Sequence, residues 1–510
     1  MRVEIPVSIV PASEGAVEVG VREKRAGVGG GPGSGGPGRG VRFGGGNGAG
    51  GRGLANPGDV LPVIRWLFYG FVFSLPFETV NSGFLEPPTL LGGLLLASTL
   101  LQPGVFLRWP PRAFWCFFVY LYFSVAIGPL EPAVYRAEVI GKLFLLFQLV
   151  LLSWIAFSLM RDERVAKTAL LTLVVACGLL SVLQVSGVAA QATDVGAKAE
   201  RVTAFGFHPN NLARILTLGL LAAVGLTYAC ARSVIKPRFL IWPLVVTIGV
   251  ALVQTGSRGA LLAVGCGLMI FVLSGHNLLT KLRNVVGVLV IMAFFVWAGF
   301  QSESTRIRFE KTLEEGDMAR REQIYPAAWE MFQERPLLGW GTIASTYELG
   351  WRLGHIDEDT KNPHNLILYG LVSTGVLGAI PLFLGTGLAV WAAWKSRRGP
   401  HGVLPLTLIT AVLVANMSGL WLFNKLHWLV MAYAVATMHY QLRTADFGLR
   451  IKKTRALVAS TGRRAVPQAT FSSIRSPQSA TLCDVDYLFR TGRVWEVHAR
   501  GVSAREPGEA

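Results

Sequence analysis

The chain has 510 residues, of which 52% are hydrophobic and only 15% are charged, a balance that excludes an ordinary soluble multidomain protein. The formal net charge of +17 does not indicate nucleic-acid binding, because Lys and Arg occur in short clusters between apolar blocks and in two tails. The composition therefore predicts an all-α polytopic membrane protein, with membrane lipids as partners and no nucleic acid.

The two ends of the chain differ from the rest. Residues 1–57 are rich in Gly and poor in apolar side chains, which predicts a disordered cytoplasmic tail. They contain no apolar stretch followed by a small-residue cleavage site, so the first apolar block is predicted to be a retained span and not a signal peptide. Residues 443–510 are basic and are predicted to form a second disordered cytoplasmic tail; the alternative is that they lie on anionic lipid headgroups.

Residues 58–442 are predicted to form the transmembrane domain, because their apolar blocks of about 16–22 residues can each cross roughly 30 Å of hydrocarbon as a helix. With the N-terminus inside, the short loops rich in Lys and Arg fall on the cytoplasmic side. The polar segments 188–209 and 301–362 then form outer loops. The twelve predicted spans lie near 60–77, 88–102, 113–129, 139–160, 167–187, 211–231, 239–255, 258–274, 284–300, 379–394, 403–423 and 427–442.

The apolar stretch 363–377 does not fit this count as a span, because it would place the basic cluster at 395–398 on the outer side. It is predicted to be a short outer-face helix, with Gly375 and Gly378 marking the bend into the next span.

The loop 301–362 contains a helical pattern of its own. Ile324, Ala328, Met331 and Phe332 recur at helical spacing, which predicts an amphipathic helix that ends before Pro336 and lies along the membrane surface.

The predicted topology gathers several cationic side chains and histidines near the outer face. Such groups either face the bundle interior, where they mark a ligand path, or extend to the lipid headgroups. These residues are Lys142, Arg201, Arg214, Arg258, Arg321, His208 and His364.

Arg258 and Arg321 are candidate phosphate ligands, since a guanidinium presents a rigid fork of donors that fits phosphate oxygens. Beside Arg258, Gly259 lets a ligand approach the backbone, whereas the alternative is a turn in which Ser257 caps the next helix. For Arg321 the alternative is an exposed salt bridge with Glu322 or a neighbouring acidic residue, which contributes little.

His364 is a candidate general base toward a sugar hydroxyl, because the pKa of histidine lies nearest neutrality; the alternative is a helix cap or an interfacial residue. Asn211 follows Pro209 and Asn210 at a helix start, where capping is the favoured role. The run Asp357-Glu358-Asp359 could hold a divalent metal against a diphosphate, but short acidic runs are mostly solvated, so no metal site is predicted.

Three segments in order, Ser257-Arg258-Gly259, the stretch from Arg321 to Gly341, and Pro363-His364-Asn365-Leu366, resemble the O-antigen ligase and polymerase superfamily over about residues 200–385. The resemblance implies an all-helical, GT-C-like glycosyltransferase that uses an undecaprenyl diphosphate-linked glycan, a glycan or lipid acceptor, and no metal or cofactor. It implies that Arg258 and Arg321 hold the diphosphate and that His364 activates the acceptor.

The chain departs from the family pattern at two places. Val372-Ser373-Thr374-Gly375 has no acidic residue before the glycine, which leaves the acceptor open, and Tyr325 stands where tryptophan is frequent. Arg201 is a looser match. The remaining residues predicted to bind substrate are Arg201, Arg214, Lys142, His208, Asn211, Ser257 and Asn365.

The sequence thus predicts an inverting, metal-independent glycan transfer at the periplasmic face of a bacterial inner membrane, with both termini in the cytoplasm. A polysaccharide polymerase or a protein O-oligosaccharyltransferase shares the same residues and stays open as an alternative. A small-anion transporter is the alternative from another class, but its ionisable groups should lie near mid-membrane in matched halves.

Overall fold

The computed structural model describes residues 60–78, 86–106, 109–188, 190–193, 201–229, 241–272, 277–301, 306, 320–354 and 360–439. Both predicted tails and the acidic run 357–359 lie outside these residues. Apart from a hairpin of two short antiparallel strands, β1 (Ala190–Thr193) and β2 (Arg201–Ala204), this part of the chain folds into helices.

The helices follow the apolar blocks of the sequence. Their bounds are α1 Pro62–Ser74, α2 Pro87–Ser98, α3 Pro103–Phe106, α4 Arg112–Ile127, α5 Arg136–Met160, α6 Glu163–Val185, α7 Pro209–Ala229, α8 Ile241–Gln254, α9 Arg258–Val272, α10 Leu278–Gln301, α11 Arg321–Glu334, α12 Ala344–Arg352, α13 Leu366–Lys395, α14 Leu404–Met417 and α15 425–439.

Each predicted span overlaps one of these helices in the residues that the structure describes, as expected for an all-α membrane protein. In the described part of the chain, six helical segments are long and apolar enough to cross a membrane. They are Arg112–Leu130, Ala133–Met160, Glu163–Val185, Pro209–Thr227, Leu278–Phe295 and Leu366–Arg398. Five further apolar helices are shorter, so twelve crossings and a GT-C-like arrangement stay predictions.

One large apolar core joins most of these helices, and its bulkiest fully buried side chains include Trp428, Tyr120 and Tyr369. By contrast, only 11% of the apolar stretch Leu278–Phe295 in α10 is buried. The exposed apolar side chains of α10 are therefore suited to contact hydrocarbon.

Helix α13 is interrupted at Gly375, whose φ of 60° and ψ of −169° are accessible essentially to glycine alone. The backbone groups released by the break bond to the turn 336–341: Trp340 N donates to Val372 O at 2.8 Å, and Val376 N donates to Pro336 O at 2.8 Å. The predicted bend at Gly375 is confirmed. The prediction for Gly378 is wrong, because its backbone stays helical and its missing side chain makes room for the neighbouring turn of the helix.

Helix α11 has the predicted amphipathic face and ends at Glu334, shortly before Pro336. Ile324, Ala328 and Met331 are buried and form a small second core with side chains of α12 and α13. The apolar face of α11 therefore packs on protein, while its placement along a membrane surface stays a prediction.

Candidate functional site

The start of α7, α9 and α11 and the end of α14 surround a cavity of about 60 Å³. This is room for several water molecules or for one phosphate-sized anion. The lining residues are Asn210, Arg214, Ser257, Arg258, Gly259, Arg321 and Ser418. Three of the predicted arginines thus meet at one place, although they lie on three different helices.

The turn between α8 and α9 presents Arg258 to this cavity. Gly256 has a φ of 59°, a left-handed conformation that ends α8 and lets α9 begin two residues later at Arg258. Ser257 is buried, and its backbone carbonyl accepts a hydrogen bond from Leu261 N at 3.1 Å. The cavity is therefore lined by the first residues of α9, where helix amides and an arginine side chain both favour an anion.

Arg214 lies one turn into α7 and is only 7% exposed. Its Nη1 donates a hydrogen bond to Asn211 Oδ1 at 3.2 Å. Asn211 was expected to cap α7, but its amide oxygen instead orients the arginine. The guanidinium also lies against the backbone of Gly419, where a side chain would overlap it.

Arg321 begins α11, directly after Arg320 in a left-handed conformation with a φ of 61°. Its Nη2 donates a hydrogen bond to Ser418 O at 2.7 Å, and one turn later Tyr325 Oη donates to Met417 O at 3.3 Å. The alternative of an exposed salt bridge with Glu322 is wrong, because Arg321 instead bonds to the end of α14.

His364 precedes α13 and has a φ of 52°, uncommon for a residue with a side chain. It does not cap the helix, since Asn365 does: the Asn365 Oδ1 atom accepts hydrogen bonds from Ile367 N at 2.9 Å and Leu368 N at 3.3 Å. The histidine is thus held by the turn while its ring is not needed for capping.

The ring of His364 is neutral at physiological pH. Burial, followed by the positive charges of Arg321, Lys361, Arg214 and His208, lowers the pKa of His364 to about 4. Because Arg321 and Arg214 both act on this ring, His364 lies near these two arginines, although it is not one of the residues that line the cavity. A neutral imidazole can accept a proton, and the surrounding cations can stabilise negative charge, which together suit a reaction that deprotonates one substrate and releases an anion from another.

The other predicted residues take different places. The Lys142 ammonium lies 3.8 Å from the centre of the Phe423 ring, a cation–π contact. His208 Nδ1 accepts a hydrogen bond from Asn210 N at 3.2 Å, at the start of α7. The backbone of Arg201 pairs with Thr193 in the hairpin, and the Arg201 side chain lies outside the described residues.

Two residues of the site have no counterpart in the sequence predictions. Lys361 lowers the pKa of His364. The sequence could have identified it, since it lies three residues before the histidine in the same polar segment. The sequence could not have identified Ser418, because it bonds through its backbone carbonyl to an arginine 97 residues earlier.

A comparison with protein families gives a match that covers part of the site. A family model described as O-antigen ligase matches residues 243–384, which include Arg258, Arg321 and His364. No curated protein matches the chain. The matched segment, which contains two of the arginines and the histidine, is similar to O-antigen ligase and supports the resemblance to the O-antigen ligase and polymerase superfamily.

Proposed function

We propose that the chain transfers a glycan from an undecaprenyl diphosphate carrier to an acceptor hydroxyl. The observation that carries the proposal is the meeting of Arg214, Arg258 and Arg321 at one cavity beside a neutral, mostly buried His364. Guanidinium groups bind diphosphate oxygens through paired, charge-assisted hydrogen bonds. The cavity is therefore the site proposed for the diphosphate of the donor.

In the proposed step, an imidazole nitrogen of His364 accepts the proton of the acceptor hydroxyl while that oxygen forms a bond to the anomeric carbon of the donor sugar. The bond from the anomeric carbon to the diphosphate oxygen breaks, and undecaprenyl diphosphate leaves with the electron pair. The arginines stabilise the negative charge on the leaving group. Attack opposite to the leaving group inverts the configuration of the sugar.

Substrate binding adjusts the basicity of His364 in this mechanism. A group with a pKa of about 4 is neutral at pH 7 but is a weak base. The negative charges of a bound diphosphate offset those of Arg321, Lys361 and Arg214, which raises the pKa of His364 toward neutrality. The donor thus both fills the arginine cavity and improves the base.

The wider proposal is a bacterial inner-membrane enzyme with both termini in the cytoplasm and the site open to the periplasm, acting without a metal or cofactor. Lys142, Arg201 and His208 are proposed to contact more distant parts of the substrates. The proposed site does not distinguish a lipid acceptor from a growing polysaccharide or a protein. In a deletion strain, accumulation of lipid-linked polymer would indicate a ligase and accumulation of single repeat units a polymerase.

Purified protein with a lipid-linked donor and an acceptor tests the mechanism. His364→Ala should bind the donor with nearly unchanged affinity but transfer the glycan about 10²–10⁴-fold more slowly, the usual range for loss of a general base. Arg258→Ala should instead weaken donor binding. His439→Ala is the matched control, because its ring packs against Phe157 in the main core. Unimpaired transfer by His364→Ala would remove the histidine from the mechanism.

A further inference from the structure

The last two residues of α14 and the two that follow them, residues 416–419, form a turn that contacts two of the three arginines of the cavity. Resting on the proposed function, we infer that this 416–419 turn forms one side of the donor diphosphate site, with Ser418 and Gly419 as positioning residues. The turn lies beyond residue 384, where the match to the O-antigen ligase family ends.

The turn supplies backbone carbonyls that hold α11. Arg321 Nη2 donates to Ser418 O and Tyr325 Oη donates to Met417 O, so both donors bond to carbonyls at the C-terminus of α14. Such carbonyls lack partners within their own helix and carry partial negative charge. They orient the arginine without a carboxylate, which would compete with the diphosphate for the guanidinium. The positive charge of Arg321 thus stays available to the donor.

The same turn leaves room for the Arg214 guanidinium, because Gly419 has no side chain. A methyl group at Gly419 would overlap Nη2 of Arg214 and lie 2.9 Å from its Cζ. Real contacts of this kind are essentially never closer than 3.0 Å, so a methyl group at 419 must displace either the backbone or the guanidinium. Only glycine lets the Arg214 guanidinium lie this close to the backbone at 419.

The turn cannot easily move away. Asn416 is fully buried, its Oδ1 accepts a hydrogen bond from Trp421 N at 3.0 Å, and its Nδ2 donates to Val412 O at 2.8 Å. On the other side, a methyl group at Gly259 would lie 2.6 Å from Ser418 Oγ, so α9 also packs closely on the turn. A side chain at 419 is therefore expected to move Arg214 and not the backbone.

The test measures binding of undecaprenyl diphosphate, without glycan, to purified protein in lipid nanodiscs. Gly419→Ala should weaken binding about tenfold with little change in thermal stability. Gly387→Ala is the matched control, since a methyl group there meets nothing within 4 Å. If Gly419 acts by placing Arg214, the double variant Arg214→Ala, Gly419→Ala should bind no more weakly than Arg214→Ala alone.

The outcomes separate this inference from the proposed function. If the wild-type protein does not bind undecaprenyl diphosphate, both the proposed function and this inference are wrong. If the wild type binds and Gly419→Ala binds equally well, or if the two substitutions act additively, only the inference is overturned.

A second variant keeps the test decisive if Gly419→Ala does not fold. Tyr325→Phe removes one hydrogen bond to the turn and preserves the ring, so it should fold normally. The loss of a bond with a net contribution of about 0.5–1.5 kcal/mol should weaken binding by at least about twofold and by at most about tenfold if the bond orients Arg321 for the diphosphate. Wild-type affinity in Tyr325→Phe would contradict the positioning role of the turn.

Discussion

Replacing Gly375 by alanine should disrupt the break in α13. A Cβ atom at this position would overlap the carbonyl of Leu337 and lie 2.6 Å from Leu338 N. The backbone conformation, with a φ of 60° and a ψ of −169°, is also one that residues with a side chain avoid. Gly375→Ala must therefore separate the turn 336–341 from α13 or strain both.

The expected loss of stability in Gly375→Ala has two parts. Holding alanine in this conformation costs about 1–3 kcal/mol. Separating the turn removes the hydrogen bonds to Val372 O, Ser373 O and Pro336 O, which contribute about 0.5–1.5 kcal/mol each. Since one response replaces the other in part, the free energy of unfolding should fall by about 2–4 kcal/mol.

Thermal unfolding of the purified protein in detergent measures this loss, and limited proteolysis reports whether the turn 336–341 becomes accessible. The control is again Gly387→Ala in the same helix, where alanine has open space and should be neutral or stabilising by about 0.5–1 kcal/mol. Equal stability of Gly375→Ala and the wild type would show that the turn does not depend on the glycine break.

Two further predictions concern the stability of the protein, one through His364 and one through Glu131. The pKa of His364 is about 4 in the folded protein and about 6.5 in the unfolded chain, so only the unfolded chain takes up a proton between these values. As the pH falls from 6.5 to 4, the wild type should therefore lose up to about 3 kcal/mol of stability relative to His364→Gln. Thermal unfolding measures this loss, and equal stability of the two proteins across the range would contradict the burial of the histidine. The buried Glu131 side chain accepts hydrogen bonds from Thr342 N at 2.8 Å and from Ala344 N at 2.7 Å, so Glu131→Ala should lower the free energy of unfolding by about 2–4 kcal/mol. The control is Glu138→Ala, which removes one exposed hydrogen bond, and an equal loss of stability in both variants would contradict the prediction.

Much of the fold can be predicted because the bilayer requires apolar runs of a known length. Each predicted span overlaps a helix in the described residues, and the spacing of Ile324, Ala328 and Met331 identified the buried face of α11. The predicted number of twelve crossings stays a prediction, since several apolar helices are shorter than a full span. Hydropathy gives the position of an apolar helix but not whether it crosses the bilayer.

The sequence predicted only those residues of the site that act through a distinctive side chain. Arg258, Arg321 and His364 could be selected because arginine and histidine are uncommon beside apolar spans. The acceptors that orient the arginines could not, since Met417 and Ser418 act through backbone carbonyls that every residue has. Contacts of this kind depend on where α14 ends, which a sequence gives only approximately.

The structure also shows how the segments that carry Arg321 and His364 are connected. Helix α11 begins at Arg321 and leads into the turn 336–341, and this turn bonds to α13 at the Gly375 break, nine residues after the helix starts beside His364. The face of α11 that follows Arg321 packs on Val372, just before the same break. The arginine proposed to bind the leaving group and the histidine proposed to deprotonate the acceptor are therefore joined by one packed unit. A change at the break should move the two groups relative to each other, so Gly375→Ala should reduce glycan transfer more than donor binding.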